Sequence, residues 1–378
     1  MQAVMDLSPE DALRLNVLLA NPLEAVRIDE GTLTVHALTP EGETSIPLNP
    51  NCREEQYLKR VRELFSTHVL GSPGGYPVFL KRWTRMGQAR DDSLEKLLLL
   101  GEPEAVVAVV HAPGLTDELA RRAWWAMPTS DNARRMLSRK AVAEGRMGKV
   151  LADFLLEFLP FEESPQAMIE SVRLVLQPGL ISNEAREKLW ARGRSKNSYY
   201  VGFLQAVPDE LPLEKPSHPA HEALREALDD LADANPLASL LLRVTSGAGQ
   251  AWLATAETVM KKPSNQDVVV ELMEAIRDYF SPAAAEGERL RSIEAVLAQA
   301  DARMAERTEA DLAAVLERLP DEHHALVRAL LVLSAAGERL VAPIFATTDA
   351  IGSVMRKKIA PVTGPLFEQL ALLQGRKT

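Results

Sequence analysis

The sequence predicts a mainly α-helical protein, an irregular α-solenoid or helical bundle with a small antiparallel β-meander near its N-terminus. Three observations predict it. Apolar residues recur at helical spacing along most of the chain. Glycine and proline cut that pattern into short lengths. Three segments near the start instead alternate apolar and polar residues around turn signals. No segment repeats closely enough to name a repeat class.

Taken in order, Ser8 followed by Pro9 reads as an N-cap and first-turn proline, opening a helix over 8–20. Segments 25–29, 32–38 and 43–48 alternate, and Glu30-Gly31 and Glu41-Gly42 between them are turns, which makes a meander. Tyr57, Leu58, Val61, Leu64, Phe65 and Val69 then fall at helical spacing over 53–70 and close a first module, residues 1–70. The run from Gly71 to Pro77 cannot hold a regular element and is a loop. Beyond it a helical array is expected over 71–207, with helices at 78–86, 93–100, 103–111, 116–126, 131–139, 147–159, 164–176, 182–192 and 198–206. Pro208, Pro212, Pro216 and Pro219 make 208–221 a stiff extended linker. An acidic helical domain follows over 222–378, with helices at 222–234, 250–260, 267–280, 286–319 (broken within), 321–340 and 366–373. Ser164-Pro165 and Ser281-Pro282 repeat the cap-then-proline start.

Composition narrows the function classes. With 378 residues, 46% hydrophobic and 25% charged, the chain can bury two or three cores and lacks the signature of disorder. A net charge of −10 repels nucleic acid and anionic lipid at long range, so either contact would need a local patch. The single cysteine, Cys52, excludes a disulfide framework or a cysteine-built metal cluster within one chain and fits a reducing, cytoplasmic compartment. The first residues lack the basic start and apolar core of a secretion signal. The most apolar stretches, 94–110 and 326–344, are interrupted by charges, so no membrane contact is expected.

Candidate chemistry is sparse. Cys52 ends a strand and leads into the helix over 53–70, so its thiol is expected in a first turn, where exposed N–H groups and Arg53 would favour a thiolate. Against that, Glu54 and Glu55 follow, and lone cysteines are commonly small buried hydrophobes. The glycines of the 71–77 loop invite a phosphate cradle, but no Gly-Lys-Ser/Thr opens a helix after a strand there, and a tight connection is the better reading. Lys81, Arg82, Trp83 and Arg85, with Arg121, Arg122 and Trp125, interleave cations and aromatics, the chemistry of single-stranded RNA binding. The commoner meaning of that pattern is tryptophans buried between helices under arginine stems. His323 and His324 are neighbours in one helix and point about 100° apart, so they cannot share a metal ion without other ligands, and Asp321 is expected to cap that helix. No nucleophile elbow, dinucleotide fingerprint or metalloprotease motif occurs, so neither catalysis nor a cofactor is expected.

Residues 48–52 (Leu-Asn-Pro-Asn-Cys), 68–88, from His68 through Gly71-Ser72-Pro73-Gly74-Gly75-Tyr76-Pro77 to Gln88, and 108–128, with Trp124-Trp125, together resemble the DsrS family. Its members are encoded with the reverse dissimilatory sulfite reductase system of sulfur-oxidising bacteria. The similarity covers the chain to about residue 205. The resemblance implies a cytoplasmic accessory protein of stored-sulfur oxidation with a regulatory or supporting role. Its partners would be proteins of that pathway, and the family brings no assigned catalytic residue. It leaves two further expectations open: that Cys52 accepts a persulfide, or that the basic aromatic segment binds RNA.

Overall fold

The computed structural model describes residues 7–76, 91–287 and 290–376. The described chain is mainly α-helical with one small antiparallel sheet, as the periodicity predicts. It divides into two compact units, residues 1–158 and 159–378.

In the first unit the Ser8 hydroxyl accepts the Asp11 N–H and opens α1, Pro9–Leu19. Three strands follow: β1 (Ala25–Asp29), β2 (Thr34–Thr39) and β3 (Gly42–Pro47), paired antiparallel in chain order. Val26 faces Ala37 across the first pair and Ala37 faces Thr44 across the second. One sheet face packs Val35 and Ala37 against Leu15 and Leu18 of α1 and against Tyr57, Val61 and Phe65 of α2, Glu54–Leu70.

The helices after the 77–90 segment are α3 (Asp91–Leu97), α4 (Pro103–His111), α5 (Asp117–Ala126), α6 (Ser130–Leu137), α7 (Lys140–Ala143) and α8 (Arg146–Phe158). They do not form a domain separate from residues 1–70. Val26 N–H donates to Leu98 O at 2.8 Å along the β1 edge, and α5 packs on β1. A strand edge and a second sheet face both needed cover, and the chain supplies it from residues about seventy positions on.

The second unit starts with a 3₁₀ turn, Leu159–Phe161, then α9 (Pro165–Val175), α10 (Asn183–Arg192) and α11 (Ser198–Ala206). After the proline-rich stretch come α12 (His221–Ala232), α13 (Pro236–Thr245), α14 (Gly247–Lys261), α15 (Gln266–Tyr279), α16 (Ile293–Glu306), α17 (Ala310–Arg318), α18 (Asp321–Ser334), α19 (Glu338–Phe345) and α20 (Gly352–Leu373). One continuous core runs from Ile169, Val201 and Leu204 through Trp252 and Phe280 to Leu373.

That core corrects the expected boundary at 208–221. The proline-rich stretch is a strap within the second unit: Leu211 packs on the core, His218 N–H donates to Thr245 O at 2.8 Å, and the Asp209 carboxylate accepts from Arg243 Nε and Nη2 at 2.7 and 2.8 Å. Composition reports the stiffness of such a segment and says nothing of what it touches.

Other differences are local. The helix α13 is additional, although Asn235-Pro236 carries the same start signal as Ser8-Pro9, and the Asn235 side chain accepts from Leu237 and Ala238 N–H. Ser281-Pro282 opens only a 3₁₀ turn, and α16 starts later under a Ser292 cap. The expected break within 286–319 falls at Arg307, in the left-handed region at φ +50°. The expected helix over 321–340 divides at Gly337, whose φ of +151° no other residue adopts readily. Pro320 is the cap position of α18, and Asp321 is its first residue.

Candidate functional site

The structure spreads the sequence candidates over several places. Lys81, Arg82, Trp83 and Arg85 lie outside the described residues. Arg121, Arg122 and Trp125 come together on α5 against the outer face of the sheet. Arg121 pairs with Glu118 and with Glu24, and Arg122 with Glu118 at 2.9 Å and Glu95 at 3.8 Å. Trp125 lies under the Arg27 guanidinium, 4.9 Å from ring centre, and its Nε1 donates to Glu43 at 3.1 Å. Glu43 also accepts from Arg27 at 2.9 Å and lies 3.1 Å from His36 Nδ1. The Arg121 hydrogen bond holds the Glu118 carboxyl at about 2, far below its ordinary value, with Arg122 adding to the effect. The Trp125 hydrogen bond and the Arg27 charge lower that of Glu43. These cations are matched by carboxylates that fasten α5 to the sheet, and a nucleic-acid phosphate would have to displace them.

Cys52 is half-buried against the sheet core and lies just outside α2: Arg53 is the cap position and the helix starts at Glu54. Its Sγ faces the Arg53 carbonyl oxygen at 3.6 Å. The expected first-turn placement is therefore corrected by one turn boundary, and the sulfur meets an acceptor where the reactive-thiol argument needs helix N–H donors. The same module holds a buried polar knot. Asp11, fully buried, accepts from the Tyr57 hydroxyl and from Asn49 N–H at 2.8 Å, while its Oδ1 has no partner among the described residues.

The glycine loop is closed to anions by its own neighbours. The buried Ser66 hydroxyl accepts from Gly75 N–H at 2.7 Å and Gly74 N–H at 3.2 Å, and Glu102 accepts from Tyr76 N–H at 2.9 Å. His324 Nε2 is 3.1 Å from Leu319 O, and His323 Nε2 is 3.8 Å from Glu322, so the two rings face different partners. Among the described residues no group of three or more His, Cys, Asp or Glu is placed to hold a metal ion. No described helix is long and apolar enough to cross a membrane.

The feature that sequence reading missed is a groove between α1 and the β2–β3 hairpin, about 560 Å³ in volume. Leu13 and Val17 form one wall, 67% and 59% exposed, with Pro22 and Pro40 at the rim and Thr44 and Ile46 opposite. That far wall is also the open edge of the sheet. Leu48 N–H donates to Leu33 O, and with the β2–β3 register this parity turns the main-chain groups of Glu43 and Ser45 away from β2. They meet no partner among the described residues. The available signal was on α1, where Leu13, Leu15, Val17, Leu18 and Leu19 are more than one helix face can bury. The second wall, thirty residues on, carries no signal until the fold is known.

Compared with protein-family models, curated proteins and solved structures, the chain matches none of them.

Proposed function

We propose that this protein acts by binding other proteins and not by catalysis, as an accessory or regulatory protein of bacterial sulfur oxidation. The observation that carries the binding reading is the groove between α1 and β3. Two large aliphatic side chains stand in water beside a strand edge whose N–H and C=O groups are free to pair. An extended segment laid along β3 would become a fourth strand, bonding the main chain of Glu43 and Ser45 and setting every second side chain on Leu13 and Val17. Pro47 lacks an N–H and would end such an addition. The link to sulfur oxidation rests on the resemblance of residues 48–52, 68–88 and 108–128 to the DsrS family.

The test immobilises the protein and passes over it an extract of a sulfur-oxidising bacterium grown on reduced sulfur. Wild type should retain proteins encoded with the sulfite reductase system. A Leu13→Asp, Val17→Asp variant, altered only at exposed positions, should retain about tenfold less. Equal retention by the variant would remove the groove. Turnover of a sulfur compound by the purified chain, with no partner retained, would remove the binding reading.

A further inference from the structure

Many arginines of the described residues are matched to a carboxylate, among them Arg186 to Glu210, Arg243 to Asp209, Arg303 to Glu309 and Arg328 to Asp301. Others are not, and in one place unmatched cations stand in consecutive positions beside exposed aliphatic side chains. At the start of α20, Arg356, Lys357 and Lys358 follow one another, and across a shallow groove of about 180 Å³ stand Lys261 and, next to it, Lys262. Lys261 pairs with Glu257 at 2.8 Å, whereas Lys262, Arg356, Lys357 and Lys358 have no carboxylate partner among the described residues. Ile351 and Val354, 68% and 54% exposed, lie at helical spacing beside Lys357 and Lys358, while Arg356 is on the groove flank with Phe367, Ile359 and Met260.

The local choice works against the helix. The first turn of α20 carries no acid, and Ile351 at the cap position offers no side-chain oxygen, unlike Ser164, Ser182 and Asn265 at the starts of α9, α10 and α15. The positive end of the helix dipole thus adds to the positive side chains. On a chain of net charge −10 this concentrates unmatched positive potential beside apolar surface.

We infer that the start of α20 is a docking surface for an acidic, amphipathic protein segment, whose carboxylates meet Lys357 and Lys358 while its apolar side chains cover Ile351 and Val354. The charge of the patch selects an anionic partner, and its two aliphatic side chains select among anions. Nucleic acid would gain nothing from β-branched aliphatics, which offer no stacking face. A lipid surface would meet two short apolar side chains and the repulsion of the whole acidic chain. The surface extends the binding reading given above but lies in the other unit, and so it can fail without that reading failing.

The experiment uses the full chain and fluorescence anisotropy. The probe is a fluorescein-labelled helical peptide of leucine and glutamate with its leucines along one face. Controls are the same peptide with lysine for glutamate, single-stranded RNA, and vesicles of equal parts phosphatidylcholine and phosphatidylserine. The glutamate peptide should bind, the lysine peptide should not, and raising salt from about 50 to about 300 mM should weaken binding about fivefold or more. Lys357→Glu with Lys358→Glu should weaken it about tenfold or more, and so should Val354→Asp, while Leu13→Asp with Val17→Asp leaves it unchanged. Far-ultraviolet circular dichroism and Tm of each variant should match wild type, because every altered side chain is exposed. The inference is overturned if the glutamate peptide does not bind, if both α20 variants bind it as wild type does, or if RNA or vesicles bind in its place. Loss of binding in the Leu13 and Val17 variant alone would move the acidic partner to the N-terminal groove and keep only the earlier reading.

Discussion

At the scale of single residues, the most informative side chain outside the candidate sites is His218. It sits half-buried in the proline-rich strap, its Nδ1 accepting Ala220 N–H at 3.1 Å and its ring bonded to the Leu372 carbonyl near the end of α20. Burial lowers its pKa below the ordinary histidine value, and the neighbouring His323 and His221 add to the shift. The unfolded chain therefore takes up this proton at higher pH than the folded chain does. Stability held above a pH of about 6.5 should fall as pH drops through that value towards the lower folded pKa. Tm measured between about pH 7.5 and about pH 5 should decline, and His218→Gln should flatten the decline across that window. An unchanged slope in the variant would assign the window to other histidines. The carboxylates held low by arginine, Glu118 above all, lose their contribution only at more acid pH, so the two effects separate.

At the scale of elements, the helical grammar was readable wherever a local signal sets the boundary. Ser8, Ser164 and Ser182 cap the helices they announce, and α4 and α11 fall where the periodicity puts them. The reading failed where packing outweighs a local signal. Pro361 and Pro365 argue for a break, and a final helix from Leu366 was expected, yet α20 runs from Gly352 through both. Met355, Ile359, Val362, Leu366, Leu370 and Leu373 lie buried at steps of three and four along it, and that stripe holds the helix across the missing bonds. The candidate groove was illegible for a related reason: its walls belong to elements that periodicity treats separately, as do the partners Arg121 and Glu24. Because Pro361 is exposed, Pro361→Ala should restore an N–H without opening a cavity and stabilise the chain by about 1 to 3 kcal/mol, read as a higher Tm. A lower Tm would show that the proline ring itself is part of the packing.

At the scale of the whole molecule, charge and domain division are the properties that composition bounds but does not place. Proline content drew a boundary at 208–221, whereas the division falls after Phe158, because apolar contacts decide it. In the second unit α11 packs on α14 and α15, and α9 packs on α15. The Trp252 indole, fully buried, donates to Leu204 O at 3.2 Å. A chain cut at the strap would leave Trp252, Val259 and Leu272 without the Val201 and Leu204 side of their core. Residues 159–378 produced alone should therefore unfold in one cooperative transition, read from the joint fluorescence of Trp190 and Trp252. Residues 222–378 should melt broadly and bind a hydrophobic dye, since exposing a face of that size removes more apolar burial than a marginally stable fold can lose. A sharp transition in the shorter fragment would return the boundary to the prolines. It would also make the strap a linker after all, and the contacts of Leu211 and Asp209 incidental to stability.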